Sequence, residues 1–159
     1  MRKKKYWDVI SDEYQQTTSI SCSDFHYGPL LPGDRKLKLL PEEVAGLNCL
    51  EVACGAAQNS CYLAGRGAVC TAMDYAAEQL EHGRQLARDL GVSINFFQAD
   101  IDSPGWVDCG RFDLIHSAYG LPFARDPAAV IRRLGTLLLP GGKLLISVGH
   151  PLYAGDWIE

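Results

Sequence analysis

Five short apolar stretches recur along this chain, and most of them are separated by segments with helical periodicity. This alternation limits the possible folds more than any other feature of the sequence. It predicts strands at 48–53, 68–73, 93–98, 112–116 and 143–148, with helices at 59–66, at 76–90 and from Pro127 onward. Strands that alternate with helices form a parallel sheet with right-handed crossovers and helices on both faces. We therefore expect an α/β fold with a doubly wound sheet that binds ligands at the carboxyl ends of its strands.

The segment before the first strand predicts one helix and one long loop. Residues 5–16 have helical periodicity, with an apolar side of Tyr6, Val9 or Ile10, and Tyr14, opposite Asp8, Asp12 and Glu13. Residues 17–34 are rich in glycine and proline, which predicts an irregular connection, and 35–43 leads to the first strand. Within this loop, Asp24-Phe25-His26-Tyr27 either anchors the chain in the core or forms a lid with His26 and Tyr27 over a ligand.

A turn of small residues follows the first predicted strand. Ala53, Gly55 and Ala57 stand two positions apart, directly before the helix that begins near Asn59. Residues without bulk allow the backbone to approach a ligand closely, and the free N–H groups of the helix point toward it. The spacing differs from the G-x-G-x-x-G pattern of dinucleotide-binding proteins. Cys54 lies in the same turn, and the sequence allows either a packing role or a nucleophilic role for its thiol.

Polar residues stand at the ends of the predicted strands. Asp74 ends the second strand 19 residues after Gly55, a distance at which a carboxylate can accept hydrogen bonds from the ribose of a bound nucleoside. The alternative is that Asp74 caps the following helix. Polar side chains also stand at the ends of the other strands. We expect all of them at one edge of the sheet: Glu51, Asp100, Ser117 and His150.

Together these motifs resemble class I S-adenosylmethionine-dependent methyltransferases, which share a Rossmann-like sheet. The family pattern E/D-x-G-x-G-x-G corresponds to Glu51-Val52-Ala53-Cys54-Gly55-Ala56-Ala57, with alanine at two of the three glycine positions. Asp74, Asp100-Ile101 and Phe112-Asp113-Leu114-Ile115 follow in the family's order, and Leu138-Leu139-Pro140-Gly141-Gly142-Lys143-Leu144 leads into the fifth strand. The resemblance covers about residues 40–150.

The resemblance implies a cofactor, S-adenosylmethionine, and a role for each matching residue. Glu51, Ala53 and Gly55 would hold the methionine part, Asp74 the ribose, and Asp100 with Ile101 the adenine, while Ser117 begins the loop beneath the methionine part. Asn59, Tyr75 and Tyr14 complete the implied cofactor-binding set. The implied reaction is methyl transfer to a small-molecule acceptor, and the residues available as a base are His150, His26, Tyr27 and Tyr119.

Composition narrows the class of protein further. A net charge of −4 and a pI near 5.5 argue against a nucleic-acid surface, and no apolar stretch is long enough to cross a membrane. Six cysteines without a C-x-x-C pair, and no secretory signal after the basic run at 2–5, indicate reduced thiols in the cytoplasm. Cys49 and Cys70 fall in apolar strands and are expected in the core. We predict no metal site.

The chain is expected to form one domain, with a lid helix and loop in residues 1–40 and the cofactor-binding sheet in 41–159. The family's sheet ordinarily has two further strands after the fifth, so we expect either a longer chain or a homodimer that covers the edge of the fifth strand. Two other functions stay open: a nucleotide-binding or S-adenosylmethionine-binding module without catalysis, and a nicotinamide-dependent oxidoreductase.

Overall fold

A five-stranded parallel sheet forms the centre of the molecule in a computed structural model that describes residues 3–29, 31–106 and 108–149. The strands are β1 (Asn48–Val52), β2 (Val69–Asp74), β3 (Ile94–Gln98), β4 (Phe112–Ala118) and β5 (Leu138–Ser147). Their order in the sheet is β3-β2-β1-β4-β5, and every neighbouring pair is parallel. The chain therefore reverses its direction of winding between β1 and β4. The predicted doubly wound α/β sheet is confirmed.

Five helices accompany the sheet within the described residues: α1 (Lys3–Thr17), α2 (Asp34–Leu37), α3 (Gln58–Gly65), α4 (Ala77–Leu90) and α5 (Pro127–Leu137), with short 3-10 turns at Pro104–Trp106 and Leu121–Phe123. Leu63 of α3 packs on the sheet face that carries Cys49 and Leu114. Leu134 of α5 packs on the opposite face with Leu50 and Ile115. Both faces of the central strands are consequently covered, which explains why most positions of β1 and β4 are buried.

Several predicted boundaries shift by one or two residues, and two elements, α2 and β5, differ more from the prediction. The helical turn α2 was not predicted. It forms because the Asp34 carboxylate accepts hydrogen bonds from the backbone N–H groups of Leu39 (2.7 Å) and Leu40 (3.1 Å) and from the hydroxyl of buried Tyr27. Those partners lie on both sides of the turn, and local periodicity cannot reveal them.

The fifth strand begins at Leu138 and not at Lys143 as predicted. Phe112 pairs with Leu138 and Leu114 pairs with Lys143, so the intervening residues of β5 form an irregularity inside the ladder. Gly141 has φ +83°, and a side chain at Gly142 would lie 2.9 Å from the carbonyl oxygen of Leu139. The Pro-Gly-Gly sequence therefore creates a bulge within the strand, not a turn before it.

The exposed and buried sides of α1 also differ from the prediction. Tyr6 and Val9 are exposed (45% and 68%), whereas Ser11 is buried and Trp7 is half-buried. On the side that was predicted to be polar, Asp8 accepts a hydrogen bond from the Ala77 N–H of α4 (3.0 Å). Asp12 is exposed as expected and lies 2.8 Å from His82 Nε2 of the same helix. The helix is oriented by polar contacts with α4, and a hydrophobic pattern does not record such contacts.

Candidate functional site

A cavity of about 1470 Å³ lies at the carboxyl ends of the strands, where the winding of the sheet reverses. Its floor comes from the segments that follow β1, β2, β3 and β4, and its roof from α1 and the loop after it. The residues that line it include Trp7, Tyr14, Gln15, His26, Glu51, Ala53, Gly55, Asp74, Tyr75, Gln79, Asp100, Ile101 and Tyr119. This is the position at which open α/β sheets bind ligands.

The β1–α3 turn presents bare backbone to this cavity. Ala53, Gly55 and Ala57 all have left-handed backbone angles, with φ of +54°, +53° and +56°. Among the described residues, and apart from its neighbours in the chain, the only heavy atom within 4 Å of a Cβ built at Gly55 is Oε1 of Gln79, at 3.5 Å. Two alanines accordingly hold a conformation that glycine adopts freely and that L-residues adopt at a cost of about 1–2 kcal/mol. Strain of this kind gathers at binding sites.

Asp74 joins the turn to the end of β2. Its Oδ2 accepts a hydrogen bond from the Gly55 N–H, and its Oδ1 accepts one from the Ala76 N–H, both at 2.9 Å. The N-cap residue of α4 is Ala76, so Asp74 stands two residues before the cap. Burial raises the pKa of the carboxyl, while the hydrogen bonds from Ala76 and Gly55 oppose that rise. The carboxylate lines the cavity and retains lone pairs for a further donor.

Glu51 is a buried acid on the cavity floor. Its Oε2 accepts hydrogen bonds from the Ser60 N–H (3.0 Å) and the Ser60 hydroxyl (2.6 Å). Burial is the largest cause that raises its pKa to about 7. The Ser60 bonds lower the pKa and the nearby Asp74 charge raises it further. A carboxyl with this pKa ionises readily when a cation binds beside it.

The residues after β2 and β3 form the adjoining wall. Tyr75 is half-buried, and burial is the first cause that raises the pKa of its hydroxyl to about 12. Ile101 is buried and faces the cavity. Asp100 Oδ1 accepts a hydrogen bond from the Asp102 N–H (3.0 Å), and the Asp100 carbonyl accepts one from Trp106 Nε1 (3.0 Å). The Asp100 side chain thus also shapes its own turn.

The roof contains residues that the sequence pattern missed. Gln15 donates to Gln79 Oε1 (2.8 Å) and accepts from Gln58 Nε2 (3.0 Å), which links α1 to α4 and α3. The Trp7 ring makes edge contacts with Tyr14 and Phe123, at centroid distances of 5.3 and 5.8 Å. Trp7 and Tyr14 are seven residues apart, which is two turns of a helix. This spacing of aromatic residues could have indicated that Trp7 shares the side of α1 that carries Tyr14.

Three predicted site residues are not among those that line the cavity. Asn59 binds the backbone of His26 twice, accepting from its N–H (2.8 Å) and donating to its carbonyl (2.9 Å). Tyr27 packs against Phe25 in the core and donates to Asp34, and burial raises the pKa of its hydroxyl. Ser117 is buried, and its Oγ has no hydrogen-bond partner among the described residues. Asn59 and Tyr27 therefore have partners within the protein, and the roles of all three residues toward a ligand stay predictions.

The remaining base candidates differ in position. His26 lines the cavity and is half-buried, and burial lowers its pKa. Phe25 and Tyr27 anchor its segment in the core, as the first interpretation of the Asp24–Tyr27 stretch expects, and a lid over a ligand stays a prediction. Tyr119 also lines the cavity, with φ +61°, and its ring fills the space that a side chain at Gly28 would occupy. His150 lies outside the described residues.

Comparison with known proteins agrees with this geometry. A family model described as a methyltransferase domain matches residues 50–146. The ubiquinone biosynthesis O-methyltransferase of Xanthomonas euvesicatoria is 34% identical over 105 residues, which are 66% of this chain and 44% of that protein. The chain therefore spans less than half the length of this curated relative.

Solved structures agree with the fold. An S-adenosylmethionine-dependent methyltransferase from Mesorhizobium loti superposes with a TM-score of 0.64 and 28% identity, over 74% of this chain and 53% of that chain. A methyltransferase from Thiobacillus denitrificans, solved with S-adenosyl-L-homocysteine, has a TM-score of 0.63 and 23% identity, over 90% and 54%. The chain belongs to the methyltransferase domain family, within the class I S-adenosylmethionine-dependent methyltransferases.

Proposed function

We propose that the chain binds S-adenosylmethionine in the cavity at the strand ends and transfers its methyl group to a small-molecule acceptor. One observation carries this proposal: the Gly55 N–H donates a hydrogen bond to Asp74, and both residues line the cavity. The carboxylate oxygens of Asp74 can still accept hydrogen bonds from a ligand. Family membership supports it, and the relatives that match are named O-methyltransferases, which favours an oxygen acceptor.

The residues present suit such a cofactor. Gln79 lines the cavity with its Oε1 beside Gly55, and its buried Nε2 has no hydrogen-bond partner among the described residues. A buried donor without a partner is costly, and a ligand acceptor would satisfy it. Glu51 would face the cationic methionine part, Asp74 the ribose hydroxyls, and Ile101 the adenine ring.

When bound, the cofactor supplies a methyl group activated by a sulfonium sulfur. The protein's share is then to hold donor and acceptor in line and to exclude water. In model systems such positioning is worth about 7–11 kcal/mol. The acidic side chains around the cavity, Glu51, Asp74 and Asp100 among them, favour a cationic donor. His26 is neutral at pH 7 because burial lowers its pKa, so it can accept a proton from a hydroxyl acceptor.

Two further parts of the proposal concern organisation. Residues 1–40 would act as the lid of a sheet unit at 41–159, which the contacts of Asp8, Asp12 and Gln15 support. A cytoplasmic location would suit the six cysteines, all of which are free thiols. No helix among residues 3–29, 31–106 and 108–149 has the length and apolar character that a membrane crossing requires.

The test is calorimetric titration with S-adenosylhomocysteine, with NADH in parallel. We expect saturable binding of the first ligand only. Asp74→Ala should weaken that binding by about 1.5–3 kcal/mol, the range for hydrogen bonds to a charged group. The matched control is Asp113→Ala, because Asp113 accepts from the Asn48 N–H (2.9 Å) at the other end of β1. An unchanged dissociation constant in Asp74→Ala would remove Asp74 from the ribose role.

A second candidate is a binding module without catalysis. Ala53 and Ala57 stand at positions where the family pattern has glycine, and they favour it because each adds a methyl group and backbone strain to the turn. Incubation with radiolabelled S-adenosylmethionine and a panel of phenols would decide: methyl transfer to any acceptor excludes a purely binding role.

A further inference from the structure

Three glutamine side chains connect α1 to two helices that border the cavity. Gln15 of α1 donates a hydrogen bond from its Nε2 to Oε1 of Gln79 in α4, at 2.8 Å. The Oε1 of Gln15 accepts a hydrogen bond from Nε2 of Gln58, the first residue of α3, at 3.0 Å. All three residues line the cavity, and Gln58 and Gln79 are buried. The amides therefore form one hydrogen-bonded chain that runs from α3 through α1 to α4.

This chain of amides ends at a nitrogen without a partner. Gln79 is 2% exposed, and its Nε2 makes no hydrogen bond with any described residue. Three other described residues, His116, Ser117 and Ser147, also have buried side-chain atoms without a partner, but they are not among the residues that line the cavity. An unpaired buried donor is costly, and an apolar side chain of similar size would avoid that cost. Gln79 is thus the described residue whose missing partner a ligand in the cavity can supply.

The amide of Gln79 lies against the β1–α3 turn. Its Oε1 is 3.5 Å from a Cβ built at Gly55, and its Nε2 is bonded to the same carbon as that oxygen. The Gly55 N–H donates to Asp74 at 2.9 Å, so the amide also stands next to the carboxylate at the end of β2. A ligand oxygen seated beside Gly55 and Asp74 is consequently close to the Gln79 amide.

We propose that Gln79 binds S-adenosylmethionine and couples this binding to the docking of α1, an inference that rests on the proposed function. Nε2 of Gln79 turns toward the cavity and donates to an oxygen of the cofactor, either a ribose hydroxyl or the carboxylate of the methionine part. Oε1 of Gln79 stays the acceptor for Gln15, which is half-buried and can follow the rotation. Gln15 is a positioning residue, because it acts on the cofactor through the Gln79 amide. A hydrogen bond at one end of a chain of amides strengthens the next bond in the chain, so a bound cofactor also holds α1 more tightly.

The experiment measures the dissociation constant of S-adenosylhomocysteine by calorimetry in wild type, Gln79→Met, Gln15→Met and the double variant. We expect binding to weaken about 10-fold in Gln79→Met and about 3-fold in Gln15→Met. The double variant should bind no more weakly than Gln79→Met, since Gln15 acts only through Gln79. Gln85→Met is the matched control and should bind as wild type does, because Gln85 is exposed on the same helix and bonds to Asp89 (2.7 Å).

An unchanged dissociation constant in Gln79→Met would overturn the proposal. So would a double variant whose loss equals the product of the two single losses. A wild-type chain that does not bind S-adenosylhomocysteine would contradict the proposed function itself, and this inference with it. The same titrations with 5′-methylthioadenosine, which has the ribose but no carboxylate, locate the acceptor: an equal loss in Gln79→Met assigns it to the ribose, and no loss assigns it to the carboxylate.

A second measurement needs no substitution at the buried residue. Saturating S-adenosylhomocysteine should slow amide hydrogen exchange in α1 of wild type at least about 10-fold, since the cofactor tightens the contact between Gln15 and Gln79. The ligand should slow exchange in α1 of Gln15→Met by a clearly smaller factor. Equal slowing in the two proteins would overturn the coupling, because contacts of α1 other than Gln15 would then account for it.

Discussion

At the scale of single residues, Glu51 is an acid whose pKa is raised by burial. Its pKa is about 7 in the folded chain and about 4.3 in an unfolded one. Because the folded pKa is the higher one, the contribution of Glu51 to stability is complete below about pH 4 and is lost as the pH rises through 7. Glu51 therefore lowers the stability of the ligand-free protein at neutral pH. A bound cation would stabilise the ionised carboxylate, which is consistent with a site that binds a cationic ligand.

We predict that Glu51→Gln is more stable than wild type at pH 8 by about 2–3 kcal/mol and equally stable near pH 4. The amide oxygen of glutamine can still accept from Ser60, so the change removes the titration and little else. Urea unfolding at both pH values measures the difference, with exposed Glu42→Gln as the control. A difference independent of pH would show that Glu51 does not carry a raised pKa.

At the scale of elements, the β1–α3 turn stores strain at its two alanines. Ala57 has φ +56° and directly precedes α3. We predict that Ala57→Gly raises the free energy of unfolding by about 0.5–1 kcal/mol, since glycine adopts this conformation without a clash. Ala64→Gly inside α3 is the matched control and should lower it by about 0.5–1 kcal/mol. A loss of stability in Ala57→Gly would mean that the turn is not strained.

The packing of α1 over the cavity depends on Trp7. Trp7→Ala removes the ring contacts with Tyr14 and Phe123, each worth about 0.5–1.5 kcal/mol. We expect amide hydrogen exchange in α1 to become at least about 10-fold faster, and S-adenosylhomocysteine to bind more weakly. Val9→Ala is the control, because Val9 lies on the same helix and is 68% exposed. Equal exchange rates in the two variants would exclude Trp7 as the contact that closes the roof.

At the scale of the whole molecule, β3 and β5 are the edges of the described sheet. An edge strand offers unpaired N–H and C=O groups to another chain. We predict that the 159-residue chain self-associates as a dimer through β5, which light scattering over a series of dilutions would detect. A mass of 17.4 kDa at every concentration would rule the homodimer out.

Much of the fold could be predicted because it depends on local patterns. The apolar runs and the helix signals around Pro127 and Gly91 locate strands and helices within one or two residues, except at β5. Asp74, Glu51 and Gly55 could be predicted to lie together because parallel strands align their carboxyl ends. The roles of these residues toward a ligand stay predictions.

The sequence by itself determined the parallel α/β sheet, the turn of small residues and the family, since each depends on neighbours in the chain or on a fixed order of motifs. Only the tertiary structure decided that Asn59 holds His26, that Tyr27 enters the core, and that Asp8 and Asp12 hold α1 against α4. Except for the Tyr27 contact with Asp34, these side chains find partners more than 30 positions away. Periodicity shows that a residue will be buried, but the identity of the partner depends on how the elements pack.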